Sequence, residues 1–277
     1  MKLTSLLACI EQHAPMTGSS DWDRSGIQIA GRRTICHKLA ACLDPLPNTM
    51  AATLDWGADL VLTHHPLVFA PRFLDQLDDY HHIISLFLKA EAWLYAAHTS
   101  LDVQINGPAS WLAEDLELTD ITILKTTGPN QGFGLVGNLP APLPWQEFLH
   151  RIHTTVATPC LLHIGPTPAT IKRVAYCIGA GGQFALTALA AGAQIYLTGD
   201  IKYHQALEAP LAILDVGHFA LEEKMMQRFA LHLTHDSAIA AANLEVKFFP
   251  GQDPRRLISH PTTGPYYLRP SQYAAIL

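Results

Sequence analysis

The sequence has no cysteines spaced as Cys-x-x-Cys, and only five in all: Cys9, Cys36, Cys42, Cys160 and Cys177. An odd, scattered set argues against a disulfide framework and fits reduced thiols in a cytosol. No stretch approaches the roughly 18 apolar residues of a membrane span. Basic residues are not in excess: 18 Lys and Arg stand against 24 Asp and Glu, a net charge of −6. Such a balance gives no general attraction to nucleic acid or to an anionic membrane surface. A Gly-x-Ser-x-Gly elbow, a Walker lysine and a complete dinucleotide fingerprint are all missing, which removes the support for covalent serine chemistry and for a phosphate loop. The glycine cluster Gly179-Ala180-Gly181-Gly182 is read as close strand–helix packing.

What is present is core-forming material. Of 277 residues 49% are hydrophobic and 15% charged, which excludes a disordered chain and suits about two ordinary domains. The opening residues, up to Cys9, loosely mimic a lipoprotein signal, but Glu11, Gln12 and His13 break the apolar stretch at once. Leu3, Leu6, Leu7 and Ile10 instead make the stripe of an amphipathic helix, as expected of a cytoplasmic protein.

Short apolar runs at 39–43, 60–63, 93–97, 132–136, 174–178, 194–198, 212–216 and 244–249 read as strands. Helical patterns at 47–56, 80–91, 144–154, 183–191 and 219–233 lie between them, an alternation that predicts an α/β fold with a substantially parallel sheet. The Gly/Pro clusters at 128–132 and 140–144 are the candidate breaks. At an offset of 192 − 57 = 135, Ala40 meets Ala175, Cys42 meets Cys177, Leu54 meets Leu189 and Gly57 meets Gly192. Ala58 and Ala193, Leu62 and Leu197, and Thr63 and Thr198 match as well. The same element order in both copies points to a duplication, and a cleft between two related halves is a favoured ligand site. The expected division is a first repeat over 1–127, a second over 128–243, and a segment 244–277 packing back on the first.

Open α/β sheets bind ligands at the carboxyl ends of their strands. Four such ends carry imidazole and carboxylate: Thr63-His64-His65-Pro66, His98-Thr99-Ser100-Leu101-Asp102, Thr198-Gly199-Asp200 followed by His204, and Gly217-His218 followed by Glu222. These donors suit zinc, iron, manganese or nickel. His218 and Glu222, four apart, share a helical face. Five or six such groups exceed the ligands of a mononuclear zinc, so two metals sharing a carboxylate fit better. His81, His82, His150, His153, His232 and His235 fall within helical patterns away from strand ends and are read as solvated.

These segments, with Trp22-Asp23-Arg24-Ser25-Gly26-Ile27-Gln28 and Asp215-Val216-Gly217-His218-Phe219-Ala220-Leu221-Glu222, resemble the NIF-three-like dinuclear-metal family, the GTP cyclohydrolase 1 type 2 homologues. The matches span about 200 residues in the family's order. The resemblance implies two intertwined α/β repeats with mixed, mostly parallel sheets and the metal site in the cleft. It further implies two divalent ions per chain held by His64, His65, Asp102, His218 and Glu222, with Glu222 bridging, and a ring-shaped hexamer. Ser100 stands where the family usually has Asn, and Leu221 where many members have Ser.

The expected function is a metal-dependent hydrolase acting through a metal-bound hydroxide on a small molecule, a nucleotide by the family's name. Asp200, His204 and His98 are the candidates for proton transfer or ligand orientation. A metal-delivery protein without turnover uses the same ligands, and a scaffold merely stabilised by metal is the third reading. The tail from Pro250, with Pro254, Pro261, Pro265 and Pro270, carries no functional motif.

Overall fold

The computed structural model describes residues 1–256, so Pro261, Pro265 and Pro270, with the rest of the segment beyond 256, lie outside the described residues. The strands are β1 (Gly26–Ile29), β2 (Lys38–Cys42), β3 (Leu60–Thr63), β4 (Trp93–Ala96), β5 (Thr119–Gly128) and β6 (Gln131–Pro144). They continue with β7 (Leu162–Ile164), β8 (Thr170–Tyr176), β9 (Ile195–Thr198), β10 (Ala212–Asp215) and β11 (Glu245–Phe248). Two mixed sheets result, ordered β1-β4-β3-β2-β11 and β5-β6-β8-β9-β10-β7.

The first sheet is parallel except for β1, and the second is parallel only across β8-β9-β10. A four-strand unit occurs twice: β1-β4-β3-β2 in one sheet and β7-β10-β9-β8 in the other. Each has three parallel strands and one antiparallel strand outside them, so the offset of 135 found in the residues has a counterpart in the topology. The central parallel strands β3 (Leu-Val-Leu-Thr) and β9 (Ile-Tyr-Leu-Thr) are buried throughout, as strands covered on both faces must be.

Three strands escape the sequence pattern. β1 is four residues with a bulge at its pairing with β4, and β7 is three residues and largely exposed. β5 is a polar edge strand of ten residues with only Leu124 buried. None of them forms the apolar run that marks a buried strand. The cluster at 128–132 is the tight β5–β6 turn, with Asn130 in the left-handed region, and 140–144 falls within β6.

The helix His218–His235 joins the halves. It buries Leu221, Met225, Met226, Phe229 and Leu233 in one cluster with Leu39 and Leu62 of the first sheet and Val174 and Leu197 of the second. Trp111 Nε1 donates to the Leu221 carbonyl at 3.2 Å, pinning the turn that carries Glu222. Strand β11, beyond this helix, pairs in parallel with β2, returning the chain to the first sheet. No helix among the described residues is long and apolar enough to cross a membrane.

Away from the strand ends, Asp59 ties the base of the first sheet together. Its carboxylate accepts from Arg33 Nη1 at 2.5 Å and from the backbone N–H groups of His37 and Lys38 at 2.7 and 3.0 Å. Burial pushes its pKa up, but these donors outweigh that and hold it below the ordinary carboxylate value. A depressed pKa contributes stability above the unfolded pKa that is lost as pH falls through the folded one. Asp59→Asn should therefore lower stability near neutral pH by about 1–3 kcal/mol. The difference from wild type should close in acid, and urea melts across that range would show the two curves converging.

Candidate metal centre

The carboxyl ends of both parallel units face one cavity of about 900 Å³. Asp44 follows β2, His65 follows β3, and His98 follows β4 into the short helix Thr99–Asp102. From the second half come Ile178 after β8 and His218 after β10. His64 and Glu222 lie deepest, at 0% and 3% exposure.

Glu222 is the hub. Its Oε2 lies 2.7 Å from His218 Nε2 and 3.0 Å from His65 Nε2. Its Oε1 faces the other way, 3.6 Å from His64 Nε2, and that nitrogen is 3.5 Å from Asp102 Oδ1. The donor atoms of His64, His65 and His98 form one triad within 4.8 Å, and those of His65, His218 and Glu222 form another. His64 Nε2, Asp102 Oδ1, His218 Nε2 and Glu222 Oε2 are all buried without a hydrogen-bond partner. Native interiors rarely leave one such atom unsatisfied, and four converging on one point are what a cation-binding ligand set requires.

All four histidines are held alike. Nδ1 of His64 donates to the Ala97 carbonyl (2.8 Å), that of His65 to Asp44 (2.6 Å), that of His98 to Asp23 (2.7 Å) and that of His218 to Asp200 (2.8 Å). Each acceptor takes the Nδ1 proton and turns Nε2 toward the cluster, the arrangement typical of metal-ligating imidazole. Asp200 takes a left-handed backbone (φ 56°) at the turn after β9, and its other oxygen accepts from Arg255 at 3.1 Å. Gly179 (φ 68°) is needed for a different reason: a Cβ there would collide with Glu222 Oε1. The glycine cluster therefore serves close packing around the carboxylate; Gly181 N donates to Thr198 Oγ1.

The charges reinforce one another. Burial lowers the pKa of His65, but Asp44 and Glu222 overcome this and push it up to about 10. Burial is likewise outweighed at His218, where Glu222 and Asp200 push the pKa up to about 9. Burial pushes Asp102 up to about 7, against the pull of His64 and with the repulsion of Glu222. Glu222 is driven up by burial yet held well below its ordinary value by His64, His218 and His65. Asp23, also opposed by burial, is held low by hydrogen bonds from His98, Ser25 and Thr99.

Of the residues picked at strand ends, His64, His65, His98, Asp102, Asp200, His218 and Glu222 come together. His204 does not: it is exposed on the short helix Tyr203–Leu207 with its ring against Tyr203, and it forms no part of the cavity wall. His82, His150, His153, His232 and His235 are exposed and His81 half-buried, all outside the cluster. Sequence pattern alone does not mark Asp44 or Asp23 as part of the cluster. Asp44 sits at a strand end, so the same rule reaches it, whereas Asp23 belongs to no regular element and its signal lies only in the Trp22–Gln28 segment.

The family model described as Duf34/NIF3 (NGG1p interacting factor 3) matches residues 1–254. A Nostoc protein named GTP cyclohydrolase 1 type 2 homolog is 34% identical over 238 residues, covering 82% of this chain and 89% of that one. A Streptococcus pneumoniae protein of the same name is 30% identical over 227 residues, 79% of this chain and 85% of the other. The crystal structure of a Bacillus cereus protein related to NIF3 superposes with a TM-score of 0.85 over 93% of this chain and 99% of that one. At 20% identity, that likeness speaks to the fold.

Proposed function

The chain belongs to the Duf34/NIF3 family, and from that premise we propose that it is a metal-dependent hydrolase whose cluster holds two divalent ions. One observation carries the reading: Glu222 turns one oxygen toward His64, whose Nε2 also faces Asp102, and the other toward His65 and His218. His64, His65, Asp102, His218 and Glu222 would together hold the ions, with Glu222 shared between them. Nitrogen and oxygen donors of this kind suit zinc, iron, manganese or nickel.

When bound, a pair of divalent ions lowers the pKa of water and polarises the bond under attack. The protein's own contribution is orientation. Asp44, Asp200 and the Ala97 carbonyl hold the ligand rings by their Nδ1 atoms, and Asp23 does the same for His98. His98 keeps Nε2 free at the cavity wall, where it holds or passes a proton during the reaction. In this reading Asp200 orients His218, and His204 has no part at the centre. The relatives' names point to a nucleotide such as GTP as the substrate class. A ring-shaped hexamer in the cytoplasm completes the proposal by family resemblance.

The test is turnover of GTP, phosphoesters and peptides by metal-loaded protein, with metal content measured on the same samples. Turnover should disappear on chelation and return with added zinc, iron, manganese or nickel. Turnover that survives complete metal removal would rule the mechanism out. Exchangeable metal without turnover on any substrate class would make the protein a metal-delivery protein instead.

A further inference from the structure

We propose that the cavity over the histidine cluster takes a planar, uncharged heteroaromatic ring stacked on Trp22 and Phe69. The inference deepens the small-molecule reading above and rests on it. Trp22 and Phe69 are 59% and 52% exposed, a costly display of aromatic surface beside a polar centre. They touch each other in a tilted arrangement, centroids 6.2 Å apart and planes at 43°, that leaves much of each ring's surface open. Both also meet the His98 ring at 5.7 Å, so the three rings form an open wall at the edge of the cluster.

Phe133 and Phe184, which stack on each other at 6.1 Å and 18°, line the same cavity. The two aromatic groups come from different halves of the chain, and a flat ring laid on the Trp22–Phe69 wall has an apolar surface to stack on. At its edge it meets the imidazole and carboxylate groups of the cluster, which suits ring nitrogens and exocyclic polar groups better than a hydrocarbon.

Charge decides against a phosphate in the same space. Among the described residues the cavity is lined by three carboxylates, Asp44, Asp102 and Glu222, and by no lysine or arginine. A polyphosphate would find there only the His65 and His218 rings, each already paired with carboxylates, whereas a neutral ring needs no cationic partner. The wall therefore selects the ring portion of a substrate, and any phosphate it carries lies outside this cavity or toward bound metal.

Guanosine, GTP and ribose 5-phosphate would be titrated into the full chain, both stripped of metal and reloaded, following tryptophan fluorescence and calorimetric binding. Metal content would be measured on each sample. Guanosine should quench the fluorescence and bind the stripped protein more tightly than GTP does, while ribose 5-phosphate should not bind it. Trp22→Ala should abolish the quench and weaken guanosine by about 10- to 100-fold, the range for loss of one base-stacking aromatic. Phe69→Ala should weaken it by a smaller factor, and Trp22→Phe should recover most of the affinity.

Guanosine affinity unchanged in both alanine variants would overturn the proposal. So would ribose 5-phosphate binding as well as guanosine, or a Trp22→Ala variant altered only in its state of association. Wild-type protein that retains no metal would sink the metal reading instead, and the stripped-protein titration would still decide the stacking question.

Discussion

Glu222→Gln should leave the protein nearly free of metal, with content falling from about two equivalents per chain to well below one. A carboxylate that gives one oxygen to each of two sites cannot be weakened at one without weakening the other, and the Gln amide supplies a single neutral acceptor. The same change should destabilise the metal-free protein by about 1–3 kcal/mol, because it removes one of the two carboxylates that face each imidazolium ring. His81 and His82 provide the control. Replacing both with Ala should preserve metal content and shift stability by no more than about 0.5 kcal/mol, as expected outside the core. Elemental analysis beside thermal melts separates the two effects. Metal content in Glu222→Gln equal to wild type would remove the bridging role, and loss of metal from the His81/His82 variant would undo the assignment by strand ends.

Metal binding should expel protons, and the stoichiometry is set by the cluster's own charges. Without metal, His65 (about 10) and His218 (about 9) are both protonated at neutral pH. Coordination requires the free lone pair on Nε2, so each ring must release one proton, and the affinity should rise about 100-fold per pH unit up to the lower of those two values. Asp102, pushed up to about 7, adds to the release on the acid side of neutrality. Stability runs the opposite way in the metal-free protein. Two histidines whose pKa is raised in the folded state give their full contribution below about 6.5, the unfolded value, and lose it as pH rises through about 9 to 10. Stripped protein should thus weaken in alkali while metal-loaded protein does not. Calorimetry of zinc binding in buffers of different ionisation enthalpy counts the protons directly; no buffer dependence at neutral pH would contradict the imidazolium cluster.

The parts of this molecule legible from sequence are those whose signal is local. A parallel strand buried on both faces writes itself as an apolar run, so β3, β9 and β10 stand out, and the residues just past their ends follow. The duplication is legible because the matching strand–helix–strand stretch carries identical residues without gaps. Edge strands such as β5 and β7 carry no such run, because solvent covers part of what a neighbour would otherwise bury. The residues that hold the histidines are harder still. Asp23 is 75 positions from His98 and Asp44 is 21 from His65, so their roles exist only once the sheets are assembled. Arg255 meets Asp200 across 55 positions from a segment with no periodic pattern at all.

The parallel pairing of β11 with β2 has a consequence for the order of events in time. A ribosome delivers β2, β3 and β4 early, but the strand that closes the β2 edge is delivered last among the described elements. Through most of synthesis the first sheet carries an open edge of the kind that recruits other chains. For much of that interval, until the chain reaches Glu222, His64, His65 and Asp102 exist without His218 and Glu222. Under the proposed reading a metal ion arriving then would find half a site, so loading would wait until Glu222 is made, and a truncation before β11 should be prone to aggregation.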